Sequence, residues 1–120
     1  MVEPDYGSAV IEGGDPEVTK RLVAVRVAHF AQGRAGLWLA GWAAKAGLRV
    51  AAQTHLLNER TGWTAATEHR YRQKYIAPAL ALGTVSSAEA ERWLADLRCA
   101  AESNRYVHRA CVTVVAAVRV

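Results

Sequence analysis

The sequence predicts a single α/β domain. Two observations carry that prediction. The segment Ala43-Ala44-Lys45-Ala46-Gly47-Leu48-Arg49-Val50 reads as a helix, a glycine stop and a strand start. The run Val112–Val118 is apolar without clean alternation, which suits a strand covered on both faces, as in an α/β layer structure. The chain has 120 residues, enough for one domain and too few for two ordinary ones. Its residues are 52% hydrophobic, which favours a packed core over disorder. Much of that content is alanine, so the core leans on Leu, Val and the four Trp residues.

The elements follow in order. Val2, Val10 and Ile11 mark a short strand end followed by an extended loop, broken at Gly13-Gly14. Asp15-Pro16-Glu17 opens a helix: Asp15 can cap free N–H groups, Pro16 suits the first helical position, and Glu17 favours the positive end of the dipole. Val18, Leu22 and Val25 continue it at helical spacing to about Phe30. Gln32-Gly33-Arg34 interrupts, and a second helix carries Leu37, Leu39, Ala40, Trp42 and Ala43 to Ala46. A strand follows over 48–57 and a loop over 58–62. A third helix spans about Thr64 to Leu80, disturbed near Pro78, which cannot donate to the helix ladder. Ser86 and Glu89 have the spacing of a capping box and open a fourth helix with Trp93, Leu94 and Leu97 on its buried face. Ser103-Asn104 ends that helix, and one long strand runs from Arg105 to Val118.

Charge and targeting signals narrow the classes. The formal net charge is +4, with arginines scattered rather than massed in the stripe of a nucleic-acid binder. The densest cluster, His69-Arg70-Tyr71-Arg72-Gln73-Lys74, reads as a solvated helix face, so neither nucleic acid nor membrane is an expected partner. The acidic, polar start Met1-Val2-Glu3-Pro4-Asp5-Tyr6 is unlike a signal peptide, and no apolar run reaches the roughly 18 residues of a transmembrane helix. Cys99 and Cys111 sit among Ala, Val and Thr as small buried hydrophobes. A cytoplasmic protein is the expectation.

No single motif fixes a chemistry. Gly13-Gly14 precedes a helix N-terminus but lacks the further glycines of a phosphate loop, and reads as a structural turn. Cys99, His108 and Cys111 lack a fourth zinc ligand, and the odd spacing of His108 and Cys111 places them on opposite faces of one strand. There is no Gly-x-Ser-x-Gly elbow. His29, His55, His69 and His108 lie on different elements, and any of them could act as a base near neutral pH, with a structural role as the default. Trp38 and Trp42, at helical spacing, read as core residues.

Taken in order, the segments resemble the C-terminal part of class I S-adenosylmethionine-dependent methyltransferases of the small-molecule type. The resemblance rests on Glu3-Pro4-Asp5-Tyr6-Gly7-Ser8, Gly14-Asp15-Pro16-Glu17, Ala46-Gly47-Leu48, Ser86-Ser87-Ala88-Glu89-Ala90-Glu91-Arg92-Trp93-Leu94 and the last strand from Arg105 to Val115. It covers nearly the whole chain, through five short matches of which none is catalytic.

The resemblance implies the second half of a Rossmann-like sheet. Residues 1–6 would be the tail of strand five, 48–57 strand six and 106–119 strand seven, the last antiparallel and lying between the other two. Residues 58–101 would be a helical insertion acting as a lid or substrate wall. It implies S-adenosylmethionine as cofactor, although the family's glycine-rich turn and ribose-binding acid lie upstream of anything in this sequence. The chain alone is therefore expected not to bind it, and reads as a truncated, split or repurposed enzyme. Its expected role is the substrate-side half of a methyltransferase, and its expected partners are a complementary N-terminal half or a second copy in a homodimer. Asp5 and Tyr6, on the loop after strand five, and Trp63, His69 and Tyr71, on the insertion, would line the substrate cleft; no residue stands out as the catalytic base. The alternatives are a non-enzymatic partner-binding subunit and a small ligand-binding or cyclisation protein.

Overall fold

The computed structural model describes residues 1–30 and 35–120. The break expected at Gln32-Gly33-Arg34 and the side chain of Leu37 lie outside the described residues. Three strands, β1 (Val2–Glu12), β2 (Leu48–Arg60) and β3 (Val107–Arg119), form one sheet in the order β1-β3-β2. β3 is antiparallel to both neighbours, so β1 and β2 run parallel to each other. Helix α1 (Pro16–His29) follows β1 and α2 (Ala35–Lys45) precedes β2. A continuous helical run between β2 and β3 comprises α3 (Ala65–Tyr71), a π-helical turn (Arg72–Ile76) and α4 (Ala77–Ala81); α5 (Ser87–Glu102) follows. The architecture is α/β, with a wholly antiparallel ladder.

Local chemistry sets the helix ends. The Asp15 carboxylate accepts from the N–H groups of Glu17 and Val18 at 2.9 and 3.1 Å. The Ser86 hydroxyl accepts from Glu89 N–H at 3.1 Å while the Glu89 carboxylate accepts from Ser86 N–H at 3.0 Å, the reciprocal box read from the sequence. Gly47, at φ +79°, turns the chain from α2 into β2. The disturbance expected near Pro78 is the π-helical turn just before it. Ala77 N–H reaches back five residues to the Arg72 carbonyl. The wider turn carries the helix past a residue that lacks an N–H and whose ring crowds the preceding turn.

β1 is longer than the sequence suggests. Residues 7–12, expected as a loop, belong to the strand, because a bulge absorbs the irregular stretch. Asp5 pairs with Cys111 and Val10 with Arg109, so residues 6–9 face the single residue Ala110. Ser8 stands in for the lost ladder: its hydroxyl accepts from Cys111 N–H at 2.8 Å and donates to the Asp5 carbonyl at 2.6 Å. The Asp5 carboxylate accepts from Gly7 N–H at 3.1 Å. Asp5-Tyr6-Gly7-Ser8 is thus the chemistry of a bulge. β2 likewise runs on through Asn58, Glu59 and Arg60, where Glu59 pairs with Arg109 at 2.9 Å.

Paired residues share a sheet face, which fixes what each face meets. Thr113 and Val115 are buried on the face crossed by α2, which buries Ala35, Leu39 and Ala43. A Cβ on Gly36 would lie 3.0 Å from the Glu3 carbonyl, so the first turn of α2 sits against β1. On the opposite face, α1 and the helices of 65–102 cover only the end of the sheet near Ile11 and His108. There Val18, Leu22, Val25, Tyr71, Tyr75, Trp93, Leu94, Leu97 and Tyr106 form the main core. Leu22, Leu94 and Leu97 are fully buried, each gaining about 1.5–3 kcal/mol relative to exposure.

Three sequence readings change here. β3 is not covered on both faces, since Val112 and Val114 are half-buried and Val118 is exposed. Trp38 and Trp42 are not core residues but 47% and 37% exposed, because Ala35, Leu39 and Ala43 take the buried stripe of α2. Cys99 is exposed, off the buried stripe of α5, and Cys111 is half-buried. The segment 58–101 supplies the larger part of the main core, packed against α1.

Candidate functional site

A cleft of 330 Å³ opens where the helical run meets the sparsely covered sheet face. It is lined from β1 by Pro4, Tyr6 and Ala9, from β2 by Asn58 and Arg60, and from β3 by His108, Ala110 and Val112. Arg26 of α1, Arg70 of α3, and Lys74 and Tyr75 of the π-helical turn complete the wall. Asn58 and Arg60 end β2, so the cleft lies at the carboxyl end of that strand, where open α/β sheets place ligands. Its volume suits a small molecule. A second hollow of 430 Å³ between β1 and α1, lined by Val10, Ile11, Pro16 and Val23 among others, offers no histidine and no aromatic side chain.

The bulge and the π-helical turn build this cleft. Pairing puts Pro4 and Val112 on the cleft side and Asp5 and Cys111 on the other. Tyr6, at the start of the bulge, stacks on Phe30 at 4.6 Å with its ring plane 6° away. The Arg26 guanidinium lies over Phe30 at 4.6 Å, Tyr6 at 5.1 Å and Tyr75 at 5.7 Å. Arg70 and Lys74 are one turn apart and so share a helix side, with Tyr75 beside them.

His108 is the titratable residue of the floor. Its Nδ1 lies 2.8 Å from the Tyr71 hydroxyl, which is itself 2.7 Å from the Tyr106 hydroxyl. With Tyr71 donating to Tyr106, the Tyr71 oxygen accepts from Nδ1–H and Nε2 is left as an acceptor. No described residue engages Nε2. Every buried side-chain N or O among the described residues has a partner, so Nε2 is reached by solvent. Burial, and then the charge of Arg70, hold His108 below the ordinary imidazole range. Burial, and then the bond to Tyr106, push Tyr71 far above the ordinary phenol range. Burial also raises Tyr106, against the bond from Tyr71, and raises Tyr75, against the charge of Arg26. The result is a neutral, oriented imidazole beside phenols that stay protonated.

The five residues expected from the sequence divide. Tyr6 lines the cleft. Tyr71 is 3% exposed and forms the layer beneath it, fixing His108. Trp63 stacks on Tyr71 at 5.8 Å and meets Tyr106 edge-on at 5.2 Å, supporting that layer without lining the cleft. Asp5 is buried on the opposite sheet face, and within the bulge rather than on a loop after the strand. His69 is exposed and outside the cleft, two residues and so more than half a helical turn from Tyr71. The sequence reading missed Arg26, Arg60, Arg70, Lys74, Tyr75 and His108 as a set. Arg70 and Lys74 belong to the segment taken as a solvated face and are exposed, but they also line the cleft, whereas Arg72 points to ion-pair partners outside it, Glu91 at 2.6 Å and Glu68 at 3.3 Å.

The Gly13-Gly14 pair is used in packing: added Cβ atoms would lie 2.7 Å from Ala100 and 2.6 Å from the Trp93 ring. The N–H donors beyond it are capped by Asp15. The cleft itself is lined by four cationic side chains and no carboxylate, a poor setting for a sulfonium. Among the described residues, no group of three His, Cys, Asp or Glu side chains is placed to hold a metal ion. None of the described helices is long and apolar enough to cross a membrane. No family model matches the chain, and no curated protein or solved structure matches it.

Proposed function

We propose that the chain is the acceptor-binding part of a small-molecule methyltransferase, with the methyl donor held by polypeptide outside these 120 residues. The observation that carries the reading is His108, oriented through Nδ1 and open at Nε2, in a cleft at the carboxyl end of β2. Methylation of an oxygen or nitrogen acceptor requires that its proton leave. A neutral imidazole with a fixed ring is suited to take it. The acceptor's O–H or N–H donates to Nε2 and the proton passes to it, while Nδ1–H keeps its bond to Tyr71. Tyr71 and Tyr106 are positioning residues that hold the ring and its tautomer. The strand order β1-β3-β2, with an antiparallel middle strand, supports the family resemblance noted in the sequence.

The test is made in extract of the native host, using a methyl-labelled donor and the small-molecule fraction. Removing this chain is expected to abolish one labelled product, and adding it back is expected to restore it. His108→Ala should fail to restore it. Restoration by His108→Ala, or a product profile indifferent to the chain, would refute the reading. A second reading, a partner-binding subunit without catalysis, draws on the open sheet face around Val2, Leu56, Val112 and Val114.

A further inference from the structure

We propose that the cleft binds a small planar anion, a ring bearing a carboxylate or phosphate, with the ring against the Tyr6 and Tyr75 side and the anion among Arg60, Arg70 and Lys74. The proposal names the ligand class of the site read above as an acceptor site, and rests on that reading only in calling the ligand a substrate.

Charge carries the first half. Arg26, Arg60, Arg70 and Lys74 line one 330 Å³ cleft that no Asp or Glu lines. Among the described residues none of the four is in an ion pair with a carboxylate. By contrast, Arg72 is paired with Glu68 and Glu91, Arg98 with Glu68, and Arg21 with Glu89. Four like charges around one hollow repel each other, and an anion between them relieves that repulsion. Shape carries the second half. Tyr6, Tyr75 and the Arg26 guanidinium between them all line the cleft, so an aromatic ring entering it meets aromatic side chains and a planar cation. Arg72, on the same helical run, and Arg98 of α5 are ion-paired with Glu91 and Glu68 rather than extending the cations of the cleft, which favours a small molecule over a nucleic-acid strand.

An anion among these cations favours the protonated form of His108, so binding and His108 protonation are linked. The groups facing His108 are Arg60, its partner on β2; Arg70, Tyr71, Lys74 and Tyr75 from the helical run; Arg26 from α1; and Tyr106 on its own strand. Apolar Ile11 is its partner on β1.

The experiment is an NMR titration of the full chain, labelled at histidine, with benzoate, phenyl phosphate, inorganic phosphate and a short RNA oligonucleotide. The expected result is saturable perturbation of His108 by benzoate or phenyl phosphate, more tightly than by inorganic phosphate, and a raised His108 pKa in the complex. Arg70→Met with Lys74→Met, both exposed, should weaken binding by about tenfold or more through two lost charge-assisted contacts. The remaining histidine signals and the melting temperature should stay unchanged. Lys20→Met, outside the cleft, should bind as the parent does. No saturable perturbation of His108, equal binding by the double variant, or tighter binding of the oligonucleotide would each overturn the proposal. If the anion binds while the extract experiment fails, the site stands and methyl transfer falls; the reverse pattern removes the anion and keeps the acceptor site.

Discussion

Replacing Tyr71 by Phe removes one oxygen atom from the centre of the molecule, and its cost follows from the hydrogen bonds there. The ring is retained, so its packing against Trp63, Trp93 and His108 survives and no cavity forms beyond the hydroxyl itself. Two bonds are lost, at 2.7 Å to Tyr106 and 2.8 Å to His108. The Tyr106 hydroxyl is then stranded in the interior, since Tyr106 is 2% exposed. The lost bond to His108 is worth about 1 kcal/mol net and the stranded Tyr106 hydroxyl costs about 1–3 kcal/mol, so Tyr71→Phe should destabilise by about 2–4 kcal/mol. Tyr106→Phe loses one bond, and the freed Tyr71 O–H can donate to His108 Nδ1 once the imidazole proton moves to Nε2, so about 1 kcal/mol is expected. The double variant should cost less than the sum by roughly 1 kcal/mol, because no hydroxyl is then stranded. Urea melts with unchanged slopes measure all three. Tyr106→Phe costing as much as Tyr71→Phe, or strict additivity, would refute the chain of bonds on which His108 depends.

Further outcomes follow from the same structure. Ser86→Ala should cost about 1 kcal/mol in a urea melt, through loss of the α5 cap; a curve indistinguishable from the parent would contradict it. Stability should fall as pH drops below neutrality. The folded His108 pKa lies below the unfolded value of roughly 6.5, so the unfolded chain binds more protons in that window and stability rises with pH. His108→Asn should flatten that slope in melts from about pH 7 to pH 5. Glu89, held down to about 2 by Arg21 and then by Ser86 N–H, gives a separate loss at lower pH, as the medium falls below the usual carboxylate range. The chain should also associate, because no described strand pairs the far edge of β1 and Trp38 and Trp42 are exposed on α2. Light scattering that reports a monomer at high concentration would count against this.

Much of the fold was legible because its signals are local. Asp15 before Pro16, the Ser86/Glu89 box, Gly47 and Pro78 each act within a turn or two, and each acts where the sequence places it. The antiparallel third strand between the other two was expected from the resemblance and is the observed order. What escaped was non-local. Residues 7–12 look like a loop until Ser8 is seen bonding to Cys111, 103 positions away. The exposure of Trp38 and Trp42 depends on which stripe of an almost wholly apolar helix meets the sheet, and composition does not choose between stripes. The cleft draws on α1, all three strands, α3 and the π-helical turn, so Arg26, Arg60, Lys74 and His108 carried no shared pattern. His108 was one of four equal histidines until Tyr71 singled it out.

Isothermal titration of S-adenosylmethionine into the purified chain separates an acceptor-binding part from a complete enzyme. With the one glycine pair at a helix start packed against Trp93 and Ala100, and a cationic cleft facing any sulfonium, no measurable heat of binding is expected. Micromolar binding to the chain alone would contradict the assignment of the donor to polypeptide outside these residues.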